Sequence, residues 1–229
     1  SDRPSSVPFT ADDPDVDSDS KLSPAPAANA LVVSDAVTDT AANAASASSD
    51  ASSSAAGPLE PGSLAGRRVL VTGSSRGIGA DTAAYFAAAG ASVVINYRNK
   101  QARADKLVAG ITAEGGTAIA IGADLTDRAS VAAMFDTVSA EWGGLDILVM
   151  NASGGMESGM AEDYAMTLNR DAQVTVLETA LPHLAPGARV VFVTSHQAHF
   201  IRAVETMPEY LPVALSKRAG EDALRAMIP

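Results

Sequence analysis

Cysteine is absent from the 229 residues. That excludes disulfides, a thiolate metal site and a cysteine nucleophile. Histidine is scarce, at three residues; His196 and His199 lie close together but have no obvious third ligand, so no metal site is expected. Aromatic residues make up 4% of the chain, with a single tryptophan. No apolar run reaches the length of a membrane span, and no basic start with an apolar core marks a signal peptide. The expected compartment is the cytoplasm. Positive charge is also in deficit: the formal net charge is −11, and no nucleic-acid footprint is visible.

What is present is a chain with 47% hydrophobic residues, enough for one well-packed domain. Its charge is uneven. Residues 1–62 hold two basic and ten acidic residues, a net of −8, and the remainder carries only −3. Residues 1–62 are rich in Ala, Ser, Asp and Pro and show no sustained period. Such a stretch cannot offset its ordering entropy by burial, so it reads as a disordered tail. Its one short apolar cluster, Leu31-Val32-Val33, is read as part of a solvated linker in preference to a docking segment. An acidic tail keeps a protein soluble or recruits a partner. Pro58 and Pro61-Gly62 mark the boundary, leaving residues 63–229 as the folded domain.

The domain opens on Arg67-Arg68-Val69-Leu70-Val71-Thr72-Gly73-Ser74-Ser75-Arg76-Gly77-Ile78-Gly79. A buried strand, a glycine turn and a helix from Ala80 make half of a βαβ unit. Gly73 turns the chain out of the strand, Gly77 lets a phosphate approach the main chain, and Gly79 lets the helix sit close on the sheet. The unpaired amides of the first helical turn then face an anion. The spacing is neither Gly-x-Gly-x-x-Gly nor a P-loop. Taken alone, the turn also admits the lesser reading of a glycine-rich loop that packs for its own sake.

Thr72 to Gly79 resembles the cofactor motif of the short-chain dehydrogenase/reductase family nearly residue for residue, and the resemblance runs from about Leu64 to the C-terminus. It implies a Rossmann-like, doubly wound parallel sheet in a single α/β domain. The cofactor-binding residues it implies in this turn are Gly73, Ser75, Arg76, Gly77, Ile78 and Gly79.

Ala91 to Asn96 reads as the second strand, ending in Asn96-Tyr97-Arg98. An acidic residue there would bind the ribose 2′-hydroxyl of NAD(H), and an arginine accommodates a 2′-phosphate. No acid stands here, whereas Arg98 and Arg76 do, so NADP(H) is expected over NAD(H). Lys100–Glu114 suits a crossover helix and Thr117–Gly122 a third strand. Asp124-Leu125 resembles the family's adenine-contacting position, and Asp127 reads as a helix cap. Leu145–Met150 is the fourth strand. Asn151-Ala152-Ser153-Gly154 resembles the family's Asn-Asn-Ala-Gly turn beside the cofactor ribose, although Met150 replaces the first Asn. Met156 and Met160 line either a substrate pocket or a loosely packed loop.

Tyr164–Leu184 reads as one long helix. It carries Asn169 where the family places an asparagine holding a proton-relay water. Ala188–Thr194 is the fifth strand, followed by Ser195, the position where the resemblance implies a serine bonding the substrate carbonyl. Ser216-Lys217-Arg218-Ala219-Gly220 resembles the active-site helix of the family, whose signature is Tyr-x-x-x-Lys. Val213 stands where that tyrosine belongs. Tyrosine is needed there because a nearby ammonium lowers its pKa toward neutrality, and valine has no proton to exchange. Tyr210, two helical turns before Lys217, is the substitute candidate; the alternative is that it only packs a loop. Lys217 would also hold the nicotinamide ribose. Family members continue into a sixth strand, a covering segment and a seventh strand, so the pocket of residues 63–229 is short of a wall.

The expected function is therefore carbonyl–alcohol interconversion with NADP(H), acting on a small molecule through Asn169, Ser195, Tyr210 and Lys217, in a homodimer or homotetramer. Valine at position 213 keeps a second reading open: a dinucleotide-binding sensor or scaffold without the chemistry.

Overall fold

Arg68–Val71 forms strand β2. Its side chains alternate between faces, as a pleated strand requires: Leu70 joins one core, Val69 and Val71 the other. Strands β3 (Ser92–Tyr97) and β5 (Leu145–Met150) repeat the pattern, with Val94, Leu148 and Met150 on the first side and Val93, Ile95 and Val149 on the second. Both faces are covered, which is why these strands are nearly continuous apolar runs. The computed structural model describes residues 30–33, 59–156, 163–203 and 205–227.

Five strands run parallel in the order β6-β5-β2-β3-β4, with β4 at Thr117–Gly122 and β6 at Leu184–Val193. Helices α1 (Gly77–Ala88) and α2 (Gln101–Ala113) cover one face through Ala83, Ala87, Ala104 and Ile111. Helices α3 (Arg128–Trp142), α5 (Ala172–Ala180) and α7 (Leu211–Ala226) cover the other through Phe135, Val176 and Leu224. This is the expected doubly wound, Rossmann-like arrangement. The chain leaves β2 toward β3 and later crosses back to β5 on β2's other side. The carboxyl ends of β2 and β5 therefore bound the switch-point crevice.

Several boundaries follow from local chemistry. Asp127 caps α3, its Oδ1 accepting from the Ala129 amide at 3.1 Å, and Gly143 ends that helix in a left-handed conformation, φ 73°. Arg68 ties β2 to β5: its guanidinium donates to both Asp146 carboxylate oxygens, at 2.7 and 3.2 Å, and its amide adds a third bond at 2.9 Å. That hydrogen bonding holds the Asp146 carboxyl below its ordinary range, against burial, which pushes it up.

Three expectations change. The stretch 30–33 is a strand, β1 (Ala30–Val33), paired antiparallel with β6, Ala30 opposite Val193 and Val33 opposite Val190. Leu31-Val32-Val33 is thus a docked segment and not linker, and the otherwise parallel sheet has one antiparallel edge. The outer edge of β6 would otherwise present unpaired N–H and C=O groups. The rest of the expected tail up to residue 58 lies outside the described residues. The helix expected over 164–184 is broken. It runs as α4 (Tyr164–Met166), a π-helical turn (Thr167–Asp171) and α5, and closes in a 3-10 turn at Leu181–His183. Strand β6 starts at Leu184, earlier than Ala188, because Leu184 pairs with Leu145 while Arg189 pairs with Ile147. The intervening residues bulge: Pro186 has no amide to pair, and Gly187 takes φ 76°.

Candidate active site

The glycine turn is held open from behind. Gly73 turns at φ 61°, its amide donating to Asn96 Oδ1 at 3.0 Å. Thr72 Oγ1 accepts from the amides of Asn151 and Ala152 at 2.9 and 3.0 Å. Asn151 Nδ2 returns a bond to the Thr72 carbonyl at 3.0 Å. The ends of β2 and β5 are thereby fixed side by side. Gly79 permits this closeness: a Cβ there would lie 2.5 Å from Asn151 Nδ2 and 2.8 Å from the Gly73 carbonyl oxygen. Gly77 differs. It adopts φ 56°, and a Cβ on it would meet nothing within 4 Å, so open space lies over the main chain there. No side chain caps α1, and its first turn holds no acid. The first-turn amides and that open face suit a pyrophosphate.

Beside the turn lies a cavity of about 480 Å³. Among the described residues, four cations line it, Arg76, Arg98, Lys100 and Arg103, and no carboxylate does. Arg98 Nη1 donates to the Tyr164 hydroxyl at 2.5 Å, and the guanidinium lies 5.8 Å from that ring's centroid. The lining also includes Gly73, Ser75, Asn96, Tyr97 and Leu125, with Asn151, Ala152 and Ser153 from the far side.

Gly77 and Gly79 shape the turn. Ile78 is 57% exposed on the first turn of α1. Asn96 is buried with its carboxamide spent on protein, holding Gly73 through Oδ1 and facing the carbonyls of Ile121 and Ala123 at 3.4 Å through Nδ2. Asp124 Oδ1 accepts from the amide and hydroxyl of Thr126, at 2.9 and 2.7 Å. Burial pushes the Asp124 carboxyl up, but those bonds and the Arg98 charge outweigh it and hold it below its ordinary range. Lys100, Arg103 and Tyr164 were not singled out in the sequence. Lys100 and Arg103 carried a signal, as cations shortly after Arg98, the residue expected to select the cofactor. Tyr164, 66 residues away, carried none.

The chemical half is assembled by α7 against the π turn. Gly220 makes this possible, since a Cβ on it would collide with the Asn169 carbonyl oxygen. Asn169 is buried in the π turn; its Oδ1 accepts from the Gly154 amide at 3.2 Å, while Nδ2 donates to the Gly154 carbonyl at 2.8 Å and to Ser216 Oγ at 2.9 Å. It thus pins the loop after β5 to α7. Ser195 ends β6's run and caps the short helix α6 (His196–His199), its Oγ accepting from the Ala198 amide at 3.1 Å. Among the described residues, nothing accepts the Ser195 hydroxyl proton. Lys217 is 7% exposed, and its Nζ donates to the Val193 carbonyl at 3.1 Å, two residues before Ser195. Burial lowers its pKa to about 8, partly opposed by the Glu221 charge. Val213 is buried at 3% exposure and fills the motif tyrosine's position, with its Cγ2 3.2 Å from where a Cβ on Gly155 would lie. Tyr210 stands at the N-cap of α7, half-buried, after the 3-10 turn Pro208–Tyr210. Seven residues separate it from Lys217, about 10 Å of axial rise. Met156 is 62% exposed, and Met160 lies outside the described residues.

A sequence model described as short chain dehydrogenase matches residues 67–220. The chain belongs to the short-chain dehydrogenase family. It is 42% identical over 145 residues to "Short chain dehydrogenase/reductase AacuN" of Aspergillus aculeatus, a match covering 61% of this chain and 55% of that protein. The chain therefore spans about half the length of that curated relative. A short-chain dehydrogenase from Burkholderia cenocepacia solved in complex with NADP is similar at 40% identity and TM-score 0.60, over 68% of this chain and 64% of the other. A 7α-hydroxysteroid dehydrogenase complexed with NADH and 7-oxo glycochenodeoxycholic acid is similar at 28% identity and TM-score 0.60, over 72% of this chain and 65% of the other. Among the described residues, no helix is long and apolar enough to cross a membrane, and no cluster of three or more His, Cys, Asp or Glu could hold a metal.

Proposed function

We propose that this chain is an NADP(H)-dependent oxidoreductase that interconverts a carbonyl and an alcohol on a small molecule. The observation that carries the cofactor choice is the lining of the nucleotide cavity, where Arg76, Arg98, Lys100 and Arg103 stand with no carboxylate among the described residues. A 2′-phosphate gains from such a cluster, and a guanidinium can grip it with two parallel bonds. The pyrophosphate would lie over Gly77 at the start of α1, and Ala152 and Ser153 would flank the adjoining ribose.

When bound, the nicotinamide supplies or accepts the hydride; the protein's residues orient and protonate. Ser195 donates its free proton to the substrate oxygen. Tyr210 exchanges the proton with that oxygen. Lys217 bonds the ribose, and its positive charge would favour the ionised phenol once Tyr210 swings toward the nicotinamide. Asn169 fixes the loop and Ser216 on either side of the proton path, in the position of a relay residue. A dimer or tetramer built on α5 and α7 fits Leu211 and Leu215, which are 40% and 49% exposed one turn apart on α7.

Val213, buried where a tyrosine would act, favours a second reading: a dinucleotide-binding sensor or scaffold. Titration of the full chain with NADPH and NADH, followed by turnover on a panel of ketones and aldehydes, separates the two. Saturable NADPH binding with turnover supports the enzyme. Binding without turnover leaves the sensor. No binding of either dinucleotide removes both.

A further inference from the structure

Glu221 is wholly buried one turn beyond Lys217 on α7. Its Oε1 accepts from Thr194 Oγ1 at 2.5 Å, at the end of β6. Its Oε2 lies 3.3 Å from His199 Nδ1 on α6 and 3.3 Å from Arg218 Nη1 on α7. Thr194 and His199 stand on either side of Ser195, and the His199 amide donates to the Ser195 carbonyl at 2.9 Å. One carboxylate thus clasps both flanks of the Ser195 turn to the helix bearing Lys217.

A carboxylate with no exposure is costly to bury and persists only where opposite charge and donors surround it. Arg218 serves partly, but it is shared. It also donates to the His199 carbonyl at 3.3 Å and pairs with Asp222 at 2.9 Å. Asp222 is drawn outward by Arg202 as well, at 3.3 Å. The other buried charge on this helix is Lys217, on the same face one turn earlier. Its bond to the Val193 carbonyl offers a dipole and no counter-charge.

We propose that Glu221 is a positioning residue for the reaction: its buried carboxylate is the counter-charge that keeps the Lys217 ammonium protonated inside the active site. This rests on the proposed role of Lys217. The groups in contact with the carboxylate are Thr194 from β6, His199 from α6 and Arg218 from α7; Lys217 stands one turn earlier on the same face of α7, its ammonium on the Val193 carbonyl. The Coulombic effect of Glu221 opposes the lowering of the Lys217 pKa by burial.

The test is competitive acetylation of the full-length protein with trace acetic anhydride between pH 6 and 11, read at Lys217 by mass spectrometry. It reports the lysine's titration whether or not the protein turns anything over. In the wild type the midpoint should lie at about 8. In Glu221→Gln it should fall by at least ~0.5 unit, about a threefold shift in the ammonium–amine ratio. Glu221→Asp, which keeps the charge, should retain most of the wild-type midpoint. With any carbonyl substrate, the alkaline limb of kcat should move acidward in Glu221→Gln by the same amount. Equal midpoints in all three proteins overturn the proposal, as does an Asp variant shifted as far as the Gln variant. Should Glu221→Gln fail to fold, carbon NMR of glutamate-labelled wild type decides. The Glu221 carboxylate resonance should inflect at the Lys217 midpoint and lose that inflection in Lys217→Met; no shared inflection overturns the proposal. A shifted lysine midpoint in a protein without turnover would support the counter-charge while removing the enzyme reading.

Discussion

Arg98 and Tyr164 join the two banks of the nucleotide cavity, Nη1 to hydroxyl at 2.5 Å, from the end of β3 to the start of α4. The bond holds a flexible guanidinium in the cavity wall before any ligand arrives. A pre-placed arginine loses less side-chain freedom when it grips a phosphate. Arg98→Gln should weaken NADPH binding by about 10- to 100-fold, the 1.5–3 kcal/mol of a hydrogen bond to a charged group. Binding of NADH, which lacks the 2′-phosphate, should change by less than about threefold. Tyr164→Phe should weaken NADPH alone, by a smaller factor. Isothermal titration with both dinucleotides reads all of this. Equal losses for NADPH and NADH would remove the 2′-phosphate assignment.

Val213 occupies the position where the family's tyrosine is expected, and Tyr210 is the proposed substitute. If the Tyr210 hydroxyl exchanges the proton, Tyr210→Phe should lower kcat by about 10²- to 10⁴-fold, the usual weight of a positioned acid/base. NADPH affinity should be unchanged, because Tyr210 does not line the nucleotide cavity. Val213→Tyr is the mirror experiment. The valine is buried against the Gly155 loop, so a ring there overpacks the site, at a cost of about 1–3 kcal/mol. A Val213→Tyr protein with a lower melting temperature and no gain in rate fits the assignment. A stable and faster variant would take the proton transfer away from Tyr210.

The local rules carried most of the sheet. β-branched runs, the glycine turn and Asp127 each state their structure within a few residues, and each forms as read. The errors came from partners distant in sequence. The π turn at Thr167–Asp171 exists where Asn169 meets Gly220 across 51 positions, and nothing near Asn169 announces it. The early start of β6 depends on Leu145 accepting Leu184 past a Pro-Gly bulge. Glu221 looks like any polar residue of an amphipathic helix until Thr194 and His199 fold over it. Arg98 was legible by its position after β3, while its tyrosine was not.

The edge pairing of β1 is the clearest of these long-range effects, and it is testable by main-chain chemistry alone. Along an antiparallel pair, adjacent residues alternate in whether their amides face the partner. Substituting both Leu31 and Val32 by proline therefore removes at least one amide aimed at β6. Each lost ladder bond is worth about 1 kcal/mol, or about 2–4 °C in a domain of this size. The double variant should melt lower by at least that much and exchange the β6 amides faster. An unchanged melting temperature with unchanged exchange would mean that the edge of β6 is satisfied by something other than β1.

Lys217 should cost the protein stability in return for its role. Its folded pKa of about 8 lies below the ordinary 10.5, with burial the main cause. Between those values the unfolded chain holds more protons than the folded one, so this residue makes stability rise with pH through that window. Below pH 8 the buried ammonium imposes its full penalty, roughly 3 kcal/mol. Lys217→Met removes the penalty and forfeits the bond to the Val193 carbonyl, about 1 kcal/mol. The variant should therefore be more stable than the wild type at pH 7 by up to roughly 2 kcal/mol, and the gap should close, then reverse, as pH approaches 10.5. Urea unfolding at several pH values between 7 and 10.5 measures it. A constant difference across that range would show that Lys217 is not desolvated in the folded protein, and its place as a buried, finely balanced charge beside Ser195 would go with it.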